Sequence, residues 1–251
     1  MKNRFGKLLE ALQNARCPMA FTGAGVSTLS GIRDFRGKNG VYHEPWRGMN
    51  VEELLSLDCF LEHPEYFYGW AREFVYRLDA FQPGPPHLLL AELEKRGLLR
   101  EIITQNIDLL HQRAGSRNVC EIHGSPAENY CLKCQKIFSY EEVAPEIMNG
   151  GVPHCPCGGV IKPKIVFYGE NLDETTLDHA FDAMQSCDFL LVMGSSLTVQ
   201  PAASMPVAAV RAGAVLAIVN DMPTPMDPYA QFRFADLGTF SEGMMAELLK
   251  N

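Results

Sequence analysis

Apolar residues fall at helical spacing over Phe5–Ala15, where Leu8, Leu9 and Leu12 share one face. An unbroken apolar run, Cys17–Thr22, follows and reads as a short buried strand that ends in a glycine turn. The same two patterns return later in the chain. Helices are predicted over Pro86–Lys95, Asp108–Ala114, Glu174–Cys187, Pro201–Ala212 and near Glu242–Leu249. Strands are predicted over Arg100–Thr104, Val119–Ile122, Lys164–Tyr168, Phe189–Met193 and Val215–Val219. Strands that are apolar on both faces and alternate with helices predict an α/β fold, a parallel sheet covered on both sides.

Two stretches break the alternation. Residues 38–85 mix aromatic and charged positions without a clear strand. Within them Asn50-Val51-Glu52-Glu53 has the form of a capping box for a short helix. Pro64 and the periodic Phe67, Trp70 and Phe74 predict a longer helix to about Leu78, and the cluster Gln82–Pro86 closes the block. Residues 125–163 are rich in Cys, Pro and Gly. Both stretches are expected to build a smaller unit beside the sheet.

Composition narrows the class of partner. The chain has 251 residues, 47% hydrophobic and 21% charged, as in an ordinary globular protein. Its net charge of −8 argues against non-specific nucleic-acid binding and leaves room for a cationic partner such as a lysine-bearing peptide. No apolar run reaches the ~20 residues that span a bilayer. The start, Met1-Lys2-Asn3-Arg4, lacks the apolar core of a signal peptide. No membrane association and a cytoplasmic location are therefore expected.

The eight cysteines fit that setting as metal ligands or packed thiols. Cys131-x-x-Cys134 and Cys155-x-Cys157, twenty residues apart, have the spacing of a four-thiolate zinc site. Four thiolates leave no open position for water, so the metal is read as structural. The second pair is tighter than usual, which leaves His154 as a spare candidate ligand. Cys17, Cys59, Cys120 and Cys187 lack such spacing and are expected as packed thiols.

Chemistry-bearing residues gather where strands end. Gly23-Ala24-Gly25-Val26-Ser27 follows the first strand, a turn that lets backbone approach a phosphate. Gly31–Gly37 then places Asp34, Phe35 and Arg36 side by side, which simple dinucleotide binding does not require. Gln105–Asp108, His123-Gly124, Gly194–Leu197 and Asn220-Asp221 each follow a later predicted strand. A histidine, a Gly-Ser-Ser turn or an asparagine after a strand is common when taken singly. Their accumulation on one sheet edge, where open α/β sheets bind ligands, is not.

These segments, in this order, resemble the sirtuin family of NAD-dependent protein-lysine deacylases, of the bacterial and archaeal type. The match covers Gly23–Ser27 with Ser30–Gly37, Gln105–Asp108, His123-Gly124, the four cysteines, Ile165–Glu170, Gly194–Leu197 with Pro201-Ala202, and Val219-Asn220. The resemblance implies a Rossmann-like doubly wound domain over residues 1–37, 86–124 and 164–251. It implies a small inserted domain made of a helical module, 38–85, and a zinc ribbon, 125–163. NAD, a consumed co-substrate, and an acetyl-lysine-bearing protein or peptide would meet between them.

It also implies residue roles. Gly23, Ala24, Gly25, Ser27 and Thr28 would lie along the nucleotide. Asp34, Phe35 and Arg36 would form a mobile cover over the reactive ribose. Gln105, Asn106, Ile107 and Asp108 would surround the ribose and nicotinamide, while Gly194, Ser195, Ser196, Asn220 and Asp221 would serve the adenosine side. His123 would be the catalytic base, with Asn106 and Asp108 acting beside it. Val166, Phe167, Tyr168, Gly169 and Glu170 would pair with the peptide as an added strand. The implied reaction breaks the nicotinamide–ribose bond and is completed by attack of the acyl oxygen on C1′. Its products would be nicotinamide, 2′-O-acyl-ADP-ribose and free lysine.

Two positions bear on specificity and loop order. Family members that remove acidic acyl groups carry a Tyr-x-x-Arg pair on the small-domain helix. Here Tyr68 is followed three residues later by Ala71, with Arg72 one step beyond, which predicts an apolar acyl pocket suited to acetyl or longer neutral chains. Arg33 stands where the family usually has proline, which removes a stiffening residue from the cover loop. The competing readings are a deacylase for longer or acidic acyl groups, a protein ADP-ribosyltransferase, and a catalytically silent nucleotide sensor.

Overall fold

In a computed structural model of the chain, which describes residues 4–37, 40–77 and 80–250, six parallel strands form the central sheet. They are β1 (Pro18–Thr22), β2 (Glu101–Thr104), β3 (Val119–Glu121), β7 (Phe189–Met193), β8 (Val215–Val219) and β9 (Phe232–Phe234). Their spatial order, β3-β2-β1-β7-β8-β9, reverses direction between β1 and β7. That is the doubly wound dinucleotide-binding order, with its ligand crevice at the reversal.

The strands are apolar because both faces are covered. Met19 and Phe21 point to one face with Leu190, Val192, Leu216 and Ile218. There they pack against α8 (Glu174–Ser186) and α9 (Ser204–Arg211) through Ala180, Met184, Met205 and Ala209. Ala20, one step along, points to the other face with Ile102, Leu191, Ala217 and Val219. That face is closed by α1 (Arg4–Asn14), α5 (Pro85–Lys95) and α10 (Leu237–Leu248). The predicted stripe of α1, Leu8, Leu9 and Leu12, is buried there.

The second core belongs to the two insertions together. The first contributes α2 (Val51–Leu54), α3 (Leu57–Glu62) and α4 (Pro64–Phe74). Asn50 caps α2 by accepting the Glu52 amide, Ser56 caps α3, and Pro64 opens α4 where its missing N–H costs nothing. The expected end of α4 at Leu78 lies outside the described residues. The second insertion contributes β4 (Gly124–Cys131), β5 (Ile137–Ser139), α7 (Tyr140–Met148) and β6 (Ile161–Ile165). Phe60, Phe67, Trp70 and Tyr76 from the first pack with Phe138, Ile147 and Ile161 from the second and with Phe167 just after it.

Two strand expectations are corrected. The strand expected over Lys164–Tyr168 is β6, three residues earlier at each end, and it pairs with β4 in a three-stranded antiparallel sheet. A short apolar run does not state which sheet it joins. The last strand of the main sheet, β9, was not expected, because Phe232-Arg233-Phe234 is only three residues long and half-buried. Among the described residues no helix is long and apolar enough to cross a membrane.

Candidate active site and metal centre

At the reversal of the sheet, two loops cross backbone on backbone. The chain leaves β1 at Gly23 and winds through a 3₁₀ turn, Ala24–Ser30. It leaves β7 at Gly194, whose φ of +61° falls in the left-handed region. The Gly25 amide donates to the Gly194 carbonyl at 2.8 Å. A Cβ on Gly194 would lie 2.4 Å from the Val26 nitrogen, and one on Gly25 would lie 2.7 Å from the Gly194 Cα. Only glycine fits both sides of this crossing.

Behind the crossing lies a buried polar network. The Ser27 hydroxyl donates to Asp108 Oδ2 at 2.6 Å. The Asn106 side-chain amide donates to Ser27 Oγ at 3.0 Å and to Asp108 Oδ2 at 3.3 Å. The Leu110 amide donates to Asp108 Oδ1 at 3.0 Å. Sequence reasoning missed the next member, His87, which sits fully buried on α5 among leucines. The Gly84 amide donates to its Nδ1 at 3.2 Å, so its proton resides on Nε2, which faces Ser27 Oγ at 3.4 Å. The ring of His111 packs edge-on against that of His87, 4.9 Å between centroids. Its Nε2 bonds Thr22 Oγ1 at 2.9 Å, and Thr22 in turn donates to Thr104 Oγ1, which also accepts the Asn106 amide. Burial, with His87 close by, holds the His111 pKa down to about 3, so this ring is neutral.

His123 stands at the end of β3, half-buried in the cavity wall. Its Nδ1 is 3.0 Å from the Gln105 carbonyl. A carbonyl only accepts, so Nδ1 carries the proton and Nε2 presents a lone pair. Burial lowers the His123 pKa below its ordinary value, with the Gln105 bond opposing. Gln105 is itself held by donating to Ser195 Oγ at 2.8 Å.

The cover loop is folded against the helical insertion. Asp34 Oδ1 accepts the Gly37 amide at 3.0 Å. The Phe35 ring lies 5.3 Å from that of Tyr42, and the Arg36 guanidinium lies 4.9 Å above Tyr42 and 3.6 Å from Glu52. Arg33, expected to loosen the loop, pairs with Glu44 at 3.0 Å. Both partners are exposed enough for the pair to add little stability, but it gives the loop a tether that proline does not offer.

Ser27, Asn106, Asp108, His123 and the Asp34–Arg36 loop line one cavity of about 530 Å³ between the strand ends and the two insertions. That volume lies within the usual range for ligand sites. Every residue assigned above to the nucleotide or the peptide contributes to its wall, including Thr28, Ile107, Ser196, Asn220 and Asp221. The wall also contains Ala235, Asp236, Leu237 and Gly238, which follow β9 and enter α10. The N-cap Asp236, two residues beyond an alternating Phe-Arg-Phe, was the available signal for them.

Two expectations fail here. Tyr68 and Ala71 do not reach the cavity; both are buried in the second core, with the Tyr68 hydroxyl on the Ile161 carbonyl. The apolar wall on that side is Leu55, Trp70, Phe74 and Val75. Residues Val166–Glu170 are not a regular strand. The Val166 amide donates to the His123 carbonyl, and Tyr168 exchanges backbone bonds with Leu55 and Leu57.

The four cysteines converge as spaced. Their Sγ atoms lie within 4.8 Å of one another, with Cys131–Cys157 at 3.5 Å and Cys134–Cys155 at 3.6 Å. Tetrahedral zinc with Zn–S near 2.3 Å places its sulfurs about 3.8 Å apart, so the set fits that ion. The Lys133 and Cys134 amides point at Cys131 Sγ, which suits a thiolate. A Cβ on Gly159 would lie 2.6 Å from that sulfur. His154 is exposed and bonds the Val152 carbonyl, so it is not a member of the cluster.

The model of the Sir2 family matches residues 23–201, more than half of the chain. An NAD-dependent protein deacetylase of Thermotoga maritima is 42% identical over 243 residues, 96% of this chain and 97% of that protein. An NAD-dependent protein deacylase 2 of Archaeoglobus fulgidus is 42% identical, covering 91% of this chain and 89% of its own length. Among solved structures, a Sir2 variant with a deacetylated p53 peptide and 3′-O-acetyl-ADP-ribose superposes with a TM-score of 0.91. It shares 40% identity, with 98% of each chain covered. Sir2Tm bound to a propionylated peptide gives a TM-score of 0.88 at 39% identity, covering 99% of this chain and 100% of that one.

Proposed function

The chain belongs to the Sir2 family, and we propose that the cavity at its strand ends is the site of an NAD-dependent protein-lysine deacetylase. The acetyl oxygen of an acetyl-lysine attacks C1′ of the nicotinamide ribose and expels nicotinamide; the 2′-hydroxyl then takes the acetyl carbon, and one water completes the release of free lysine and 2′-O-acetyl-ADP-ribose. The relatives named for this activity, and the peptide-bound structures that superpose over nearly the whole chain, support that reaction.

The observation that carries the site is the His123 tautomer. With Nδ1–H fixed on the Gln105 carbonyl, Nε2 faces the cavity as a base, and the lowered pKa keeps it unprotonated at neutral pH. A ribose hydroxyl is the proton donor it would serve. Asp108 and Asn106, held by Ser27 and the Leu110 amide, would take the nicotinamide carboxamide and fix the leaving group. The Gly23–Gly25 turn with Thr28 and Arg36 would receive the pyrophosphate. Gln105 would contact the reactive ribose, with Phe35 over its face, and Gly194–Ser196, Asn220 and Asp221 would take the adenosine side.

We place the nucleotide-binding domain at 1–37, 86–124 and 164–251, with 38–85 and 125–163 as its inserted small domain; the separate hydrophobic core of the insertions supports this division. Cys131, Cys134, Cys155 and Cys157 would hold one structural zinc ion, which contributes folding energy to the ribbon and no chemistry. A cytoplasmic location is part of the same proposal, supported by eight unpaired cysteines.

The test is a panel of acyl-lysine peptides incubated with NAD, with nicotinamide and the second product identified by mass spectrometry. Acetyl-lysine peptides are expected to release nicotinamide and O-acetyl-ADP-ribose together. ADP-ribose attached to protein would favour a transferase, and no nicotinamide with any peptide would contradict both readings.

A further inference from the structure

Resting on the deacetylase reading, we propose that the buried ammonium of Lys162 is a positioning residue that preforms the peptide-binding edge. Lys162 lies on β6 with its side chain 1% exposed, and it does not line the cavity. An ammonium has three N–H donors and no acceptor. Here the three meet Glu170 Oε2 at 2.9 Å, the Ile165 carbonyl at 2.9 Å and the Pro163 carbonyl at 3.3 Å. The charge also sits 4.2 Å from the centroid of the Phe167 ring.

Glu170 and Phe167 belong to the segment that would meet the substrate, and Pro163 and Ile165 lead into it along β6. Glu170 Oε2 accepts the Phe167 amide at 2.7 Å, and the Glu170 amide returns to the Phe167 carbonyl at 3.0 Å. The turn between them passes through Gly169 at φ +89°. The same segment is tied to the base residue by the Val166 amide on the His123 carbonyl, and to the helical insertion by Tyr168. Among the described residues no partner takes the Val166 carbonyl or the Gly169 amide and carbonyl. Those are the backbone groups left for an added strand.

Lys162 thus closes the segment from behind while its outer edge stays open. Removing the ammonium leaves the half-buried Glu170 carboxylate without its counter-charge and removes the donor that meets two backbone carbonyls. The turn then loses the geometry that aligns the open groups. The nucleotide side of the cavity shares no bond with Lys162, so peptide and NAD should respond differently.

The test uses the full-length enzyme with zinc bound and compares Lys162→Met, Lys162→Arg and Glu170→Gln. In Lys162→Met the KM for an acetyl-lysine peptide is expected to rise at least tenfold, with the KM for NAD within twofold of the parent. Lys162→Arg, which keeps charge and donors, is expected to restore most of the peptide affinity. Where Lys162→Met does not fold, Glu170→Gln carries the same comparison, because it keeps the Phe167 acceptor and removes only the charge. Wild-type turnover of the same peptide tests the deacetylase reading separately. An unchanged peptide KM in folded Lys162→Met or Glu170→Gln, or an equal loss toward peptide and NAD, overturns the proposal.

Discussion

His123 is held by one hydrogen bond that sets both its orientation and its tautomer. Replacing it with alanine removes the proposed base without touching the glycine crossing. NAD binding is therefore expected to survive in His123→Ala, measured by calorimetry, while kcat falls by roughly 10²–10⁴-fold, the usual worth of a general base. Loss of binding and fold together would make His123 structural. The base must be neutral to act, and burial sets its pKa below 6.5. The acid limb of kcat is expected below pH 6.5 in the parent, with activity falling as pH falls through it; a limb above that value contradicts the assignment. Gly194 is the other residue-scale constraint. Gly194→Ala would push a methyl into the Val26 amide at a positive φ, and is expected to weaken NAD binding at least tenfold.

At the scale of elements, the parallel strands were legible because strands covered on both faces are apolar throughout. The cysteine spacing was legible because tight turns are what a tetrahedral ion demands. The sheet that β6 joins was not, since a run such as Ile165-Val166-Phe167 is equally apolar in either core. Nor could helical spacing say that Trp70 and Phe74, not Tyr68 and Ala71, face the cavity; Tyr68, Trp70 and Ala71 are all apolar and all buried. His87 escaped notice because it stands in a leucine-rich face, and its partner Ser27 lies sixty residues away. The ribbon yields a prediction of its own. Its Cys131–Cys134 and Cys155–Cys157 turns are held to one another through the cysteine cluster, so Cys131→Ala or a strong chelator is expected to abolish cooperative unfolding of the small domain, followed by calorimetry. Unchanged stability after zinc removal would count against a structural ion.

Over the whole molecule, acid should act on stability through the histidines buried in their neutral form. Burial lowers the pKa of His87, His111 and His123, the second to about 3. Below pH 6.5 the unfolded chain binds protons that these rings refuse, so stability falls with pH by up to about 1.4 kcal/mol per unit for each. Glu121, held up to about 7 mainly by burial, acts with the opposite sign. Three histidines against one carboxyl give a net loss as pH falls below 6.5, and the melting temperature is expected to drop with it. A flat melting temperature contradicts it.

In the proposed reaction the peptide's own acyl oxygen joins the ribose in the cavity lined by His123, Asn106 and Asp108. An acetyl-lysine peptide labelled with ¹⁸O in its acetyl carbonyl tests this directly. Attack of that oxygen on C1′ predicts the label on the ribose of the O-acetyl-ADP-ribose product, with mass spectrometry applied promptly after turnover. Label released as free acetate, with unlabelled ADP-ribose, would contradict the account.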